Sequence, residues 1–251
     1  MLGPVIFGLL VAVGFSTNAA AQNQPGKGGK CTGFLSLGPK DHPWSSDLPP
    51  TTKDLRVRIN AKGPELHLRV EPNPAWKSSP GEVQRLGRIL IFSCETGSPV
   101  QSLEVESQST PEMFLRSIEA RDINFDGYLD LGIVREFGAK WGRYTWWVFS
   151  PAAGKFVSDE LTEELGQISA NGLELDAAQQ NITAPQLTNF TGCGATKHIF
   201  HVEQNLHLVP IHREEIDGTA AGCTLTISNR VNGQMKVTKV QHFSPYREAV
   251  P

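Results

Sequence analysis

The sequence predicts a mainly β fold, with antiparallel hairpins packed as a sandwich or related sheet assembly and one short helix. Three observations predict it. Apolar and polar side chains alternate with a period of two over many short segments. Gly, Pro and Asn-Gly turns separate those segments. A helical pattern occurs in one short segment only. The 251 residues, 39% hydrophobic and 20% charged, have an ordinary globular composition with enough chain for a proper core.

The first segment, "MLGPVIFGLLVAVGFSTNAAAQ", has an apolar run that ends in small residues, with Ala19-Ala20-Ala21 as an A-x-A cleavage site. Residues 1–21 therefore read as a signal peptide. The run is shorter than the roughly 20 residues that span a bilayer, so no transmembrane anchor is expected after cleavage. A periplasmic or secreted location is expected. Residues 22–52 read as a flexible N-terminal segment, rich in Gly and Lys and then in Pro. Residues 53–251 read as a single mainly-β domain.

Within it, Leu55, Val57 and Ile59 alternate with Arg56, Arg58 and Asn60, and a Gly63-Pro64 turn leads to Leu66, Leu68 and Val70. A loop at 71–84 carries Trp76. Residues 85–95 and 100–107 pair around Gly97-Ser98-Pro99, and "LGIVREF" and "RYTWWVFS" form a hairpin across "GAKWG". "DELTEELG" (159–166) is the helix, whose Glu163 and Glu164 read as a solvated face. Two terminal hairpins follow, turning at Gln204-Asn205 and at Asn232-Gly233, the latter a strong type I′ signal.

The segment with most chemical content is "ARDINFDGYLDLGIV". Asp122, Asn124, Asp126 and Asp130 spell D-x-N-x-D-G-x-x-D. Side chains two apart on an extended chain share a direction, so these oxygens converge, and converging carboxylates need a cation between them. The loop at 122–130 predicts Ca²⁺ held by Asp122, Asn124, Asp126, the Tyr128 carbonyl and Asp130, with Gly127 permitting the turn. The all-oxygen donor set suits calcium over zinc or copper. The glutamate at position 12 of an EF-hand loop is replaced by Ile133, and the flanks read as strands.

Cys31, Cys94, Cys193 and Cys223 lack C-x-x-C spacing and read as two disulfides, for which three pairings exist. Cys193 precedes one terminal hairpin and Cys223 opens the next, which favours Cys193–Cys223 and leaves Cys31–Cys94. His198, His201, His207, His212 and His242 read as solvent-facing strand residues. Asn181 and Asn189 head two glycosylation sequons. A formal charge of −3 gives no support for a nucleic-acid partner. No G-x-S-x-G, H-E-x-x-H or Walker loop occurs, no catalytic residue is assigned, and the chain is not expected to be an enzyme.

Trp146 and Trp147 point to opposite faces of their strand, so one of the two is expected in the core. On the glycine-flanked tip before them, Lys140, Trp141, Arg143 and Tyr144 form a candidate partner-binding group, an aromatic anchor with cations beside it.

"DINFDGYLDLGIV", followed by "GRYTWWVFSPAAGKFVSDEL", resembles bacterial periplasmic immunity proteins that act against lysozyme-like secreted effectors. These are related to inhibitors of invertebrate-type lysozyme. The resemblance spans about residues 110–215, and the acidic loop is also similar to that of integrin-type repeats. It implies an exported, calcium-binding inhibitor of a peptidoglycan-cleaving lysozyme-like hydrolase. The alternative is a calcium-stabilised envelope binding or structural module without an enzyme target.

Overall fold

A computed structural model describes residues 31, 34–37, 54–73, 75, 82–108, 110, 117–138, 141–187, 193–219 and 222–244. The expected signal peptide, most of the N-terminal segment, Trp76, Lys140 and Asn189 lie outside them. The chain is mainly β, as its alternation predicts.

Strands β1 (Leu35–Ser36), β2 (Asp54–Arg58), β3 (Glu65–Pro72), β4 (Gln84–Ser93) and β5 (Pro99–Ser107) form a five-stranded sheet in that order. All its pairings are antiparallel except β1 with β2. Strands β6 (Glu119–Arg121), β7 (Asp130–Gly138), β8 (Trp141–Ser150) and β9 (Lys155–Val157) form a second sheet. After the helix α1 (Glu160–Gly166), strands β10 (Glu174–Asp176), β11 (Asn181–Leu187), β12 (Gly194–Val202), β13 (Leu208–Thr219), β14 (Gly222–Val231) and β15 (Gln234–Phe243) build a six-stranded antiparallel meander.

The β7–β8 hairpin is the centre of the molecule because both its faces are covered. Leu131, Ile133, Trp147 and Phe149 pack with Leu55, Leu68 and Ile89 of the five-stranded sheet in one core. Val134, Tyr144, Trp146 and Val148 pack with Leu161 and Leu165 of α1 and Ile182 of β11 in another. Both Trp146 and Trp147 are therefore buried, where one had been expected in the core. Trp146 fits because its cross-strand partner is Gly132, at which a Cβ would stand 2.5 Å from the indole ring.

The helix begins where the chain supplies its cap. Asp159 accepts from the Thr162 N–H at 2.9 Å, and Thr162 Oγ1 accepts from the Asp159 N–H at 2.9 Å. That reciprocal box satisfies donors that a helix start leaves bare. Leu161 and Leu165, four apart on one face, enter the core.

Both expected disulfides form, Cys31 with Cys94 and Cys193 with Cys223. The first ties the chain ahead of β1 to the end of β4. The second joins the start of β12 to β14 across a 30-residue separation, a closure worth about 3–4 kcal/mol in the chain-entropy model.

Alternation marks no strand between the helix and Gly194, yet β10 and β11 lie there. Pro185 within β11 hid the strand from a propensity reading. The sequon at Asn181 falls at the start of this strand. Its side chain is nearly buried, with its amide donating to Gln179 Oε1 and its oxygen paired with His201 Nδ1.

Four of the five histidines of the C-terminal third have separate polar partners, and His198 lies beside the Phe200 ring. His212 contacts Asn229 and Glu214, His242 contacts Thr224, and His201 reaches the Gln179 carbonyl. His207 sits 3.1 Å from Glu164 and 3.2 Å from Glu160, clamping α1 to β13. Glu164 also accepts from the Leu208 N–H at 2.6 Å, so it is a link between elements and not merely a solvated face.

The Glu164 carboxylate, aided by Glu160, raises the pKa of His207, whereas burial and then Arg213 lower that of His198. An imidazole titration followed by NMR should find His207 above the usual value near 6.5 and His198 below it. The clamp's contribution is then complete below the unfolded-state pKa and fades as pH rises through the folded-state value. The reverse order of the two midpoints would contradict these environments.

Candidate functional site

The acidic loop joins β6 to β7 and lies where the two cores meet. Ile123 is buried in the α1-side core, while Tyr128 and Leu129 pack against the other. The Leu129 N–H donates to the Ile59 carbonyl at 2.7 Å, fastening the loop to the five-stranded sheet. Phe125 (φ 60°) and Gly127 (φ 86°) adopt left-handed backbone, which turns the chain back within nine residues. A Cβ at Gly127 would meet nothing within 4 Å, so glycine answers the dihedral and not a lack of space.

The donors form a gradient of burial. Asp126 is exposed, Asp122 and Asn124 are half-buried, and Asp130 is completely buried. Asp122 accepts from the N–H groups of Asp126 and Gly127, each at 3.0 Å. Asp126 accepts from the Tyr128 N–H at 2.9 Å and from the Asn124 amide at 3.0 Å. Asp130 accepts from the Ile123 N–H at 2.9 Å and, across the sheet, from the Phe149 N–H at 2.8 Å. It is therefore a bolt joining the loop, the start of β7 and the end of β8.

This carboxyl group has a strained electrostatic position. Burial, chiefly, pushes its pKa up to about 8; the two backbone N–H groups oppose that rise, and the charges of Asp126 and Asp122 add to it. Burial likewise raises Asp122, with Asp126 adding to the rise. Each Asp130 oxygen receives one N–H bond and keeps a further lone pair, since a carboxylate offers about four acceptor sites.

Among the described residues, no three His, Cys, Asp or Glu side chains are gathered as a metal cluster. The loop carboxylates lie on their own backbone instead. The residues nevertheless fit a hard cation in chemistry: all donors are oxygens, they belong to one short loop, and their charges burden one another. A bound dication reverses the local cost of ionising such groups.

The expected partner-binding group divides three ways. Tyr144 is 3% exposed and stacks near Trp146 in the core, so it does not face a partner. Its position opposite Val134 sends it to the covered side of a sheet buried on both faces. Trp141 is half-buried, lying over Gly138, where a Cβ would come 2.2 Å from its Nε1. Arg143 stands 5.7 Å from the Trp141 ring, pairs with Glu136 at 3.1 Å and donates to Ser169 at 2.9 Å. Lys140 is outside the described residues. The tip is further braced by reciprocal backbone bonds between Gly142 and Ala170, at 2.7 and 3.0 Å.

Alternation alone does not single out His67. It is 8% exposed, lies 2.6 Å from Asp54 and stacks between Phe34 and Phe92, with Arg69 also on Asp54. Alternation around it identified a strand but not the aromatic partners, which come from distant segments.

No family model matches the chain. A tRNA dimethylallyltransferase of Paracidovorax citrulli is 31% identical over an alignment covering 36% of this chain. The chain spans about a third of that curated relative's length, 33%. A solved structure described as a Xanthomonas type IV secretion system related protein matches the fold with a TM-score of 0.51 and 16% identity, covering 78% of this chain and 98% of that one. The likeness is one of fold. Two disulfides are compatible with an extracytoplasmic location. Among the described residues, no helix is long and apolar enough to cross a membrane.

Proposed function

We propose that the chain is an exported, calcium-binding inhibitor of a peptidoglycan-cleaving lysozyme-like hydrolase, an immunity-type protein with no catalytic role of its own. The observation that supports this most is the place of Asp130. It is the last donor of the acidic loop and the first residue of β7, and it is bonded to the end of β8. A cation held by Asp122, Asn124, Asp126, the Tyr128 carbonyl and Asp130 would stiffen the base of the hairpin that carries Trp141 at its far end. An ordered loop loses less entropy on binding, which raises affinity without new contacts.

The fold's likeness to a secretion-system related protein and the two disulfides favour an envelope setting. Glycosidases of this kind work with two carboxyl groups flanking the scissile bond, so their clefts favour a cationic probe. Arg143 is paired with Glu136 in the free protein, so the proposed contact rests on the charges of Lys140 and Arg143 and on Trp141 as the flat apolar surface.

Peptidoglycan turbidity assays against a panel of lysozyme-like muramidases test this reading. The protein is expected to inhibit at least one, and Trp141→Ala with Lys140→Glu should weaken inhibition while leaving calcium-dependent melting intact. Full inhibition by the double variant would remove the tip from the mechanism. Binding to purified peptidoglycan without inhibition of any muramidase would favour the envelope-module alternative.

A further inference from the structure

The β14–β15 hairpin is a surface of a different kind from the rest of the molecule. Of the six large apolar residues exposed among the described residues, four lie on it: Val231, Met235, Val237 and Val240, the last two 61% and 54% exposed. Residues 222–244 contain Arg230, Lys236 and Lys239 and no Asp or Glu, on a chain whose net charge is −3. The neighbouring strands pair their cations, Lys197 with Glu214 and Arg213 with Glu215. Among the described residues, Arg230, Lys236 and Lys239 have no such partner.

The backbone sorts these side chains. Simple alternation would put Lys236 and Lys239, three apart, on opposite faces. The register shifts between Ile227, opposite Lys239, and Ser228, opposite Val237, so Thr238 is an extra residue in β15. The bulge is held by the Asn229 amide donating to Thr238 Oγ1 at 2.7 Å. Lys236 and Lys239 consequently face Asn229 and Ile227, which share one side of β14, while Val237 and Val240 share the other with Ser228 and Thr226. Among the described residues, β15 is also the edge of its sheet, with no strand paired to its outer side.

We propose that β15 receives an extended acidic segment of a partner protein as a seventh strand, with carboxylates beside Lys236 and Lys239 and apolar side chains beside Val237 and Val240. Strand addition satisfies the open N–H and C=O groups, and side chains on the two faces set specificity. Lysines and a bulge on an edge normally prevent pairing of like edges. Here they disfavour a second β15, which would set lysine rows side by side, and select a partner of opposite charge. A bilayer is a poorer occupant, because lipid cannot bond the open backbone row. The proposal is independent of the hydrolase reading, since it involves neither the acidic loop nor the tip.

The probe is a fluorescent ten-residue peptide alternating Glu and Val, with two controls: Lys in place of Glu, and the Glu peptide N-methylated at alternate residues along one edge. Anisotropy and amide exchange on the purified protein are the readouts. The Glu peptide should bind and protect amides within residues 234–243; neither control should. Lys236→Glu with Lys239→Glu should weaken binding on the order of tenfold, from two exposed pairs lost and reversed. Both lysines are exposed, so the variant should melt like the parent, and the methylated control needs no variant at all. Equal binding of the Glu and Lys peptides, undiminished binding of the methylated one, or no binding of the Glu peptide would overturn the proposal. So would uptake by vesicles of about one-third phosphatidylglycerol, or a dimer abolished by the double substitution, if either occurs without peptide binding.

Discussion

Asp130→Ala is expected to destabilise the protein with or without calcium, by up to about 4 kcal/mol at about pH 4, where the buried carboxyl is protonated and the cost of burying its charge is nearly absent. The carboxyl group is completely buried and accepts the N–H groups of Ile123 and Phe149. Alanine leaves both donors without an acceptor, at roughly 1–3 kcal/mol each. Asp130→Asn should recover part of the loss, because its single carbonyl oxygen serves only one of the two donors. Urea unfolding in EDTA and in calcium measures both variants. A loss below about 1 kcal/mol in EDTA at about pH 4 would mean that Asp130 is not the bolt between loop and hairpin.

Calcium should raise the melting temperature by about 5–10 °C, and Asp126→Ala should abolish the rise. A ligand at 100 times its dissociation constant adds about 2.7 kcal/mol. At this chain length about 1 kcal/mol moves the midpoint by roughly 2–4 °C. Asp126 is exposed and its hydrogen bonds stay within the loop, so its removal should cost little in EDTA. The two aspartates thereby separate: loss at Asp130 is present without metal, whereas loss at Asp126 is seen only with it. Identical melting in calcium and EDTA would remove the cation from the account.

The parts of the fold that could be read from sequence are those set by local chemistry. Asn232-Gly233 forms its hairpin turn because both residues take positive φ, 52° and 80°. Asp159 and Thr162 announce the helix start with side chains three apart. The alternation at Leu55, Val57 and Ile59 needs only one covered face. What stayed hidden depends on tertiary partners. Tyr144 lies in a strand with cores on both sides, so polarity along the strand does not tell which residue meets solvent. Trp141 lies over Gly138, a contact visible only once the register of β7 and β8 is known. The shared face of Lys236 and Lys239 depends on one extra residue at Thr238, which alternation cannot register. The acidic loop was legible as a motif because its spacing is local. That Asp130 spends both oxygens on backbone donors from two segments was not.

The most direct test is the residual activity of a muramidase identified by the inhibition assay, measured with the calcium-loaded protein and again after EDTA treatment. The muramidase itself must be one whose activity is indifferent to both. Inhibition by the loaded protein that weakens on EDTA treatment and returns with added calcium is the predicted result, with Asp126→Ala behaving like the treated protein throughout. Inhibition of equal strength in both states and in Asp126→Ala would contradict the claim that a cation in the loop prepares the hairpin for its target.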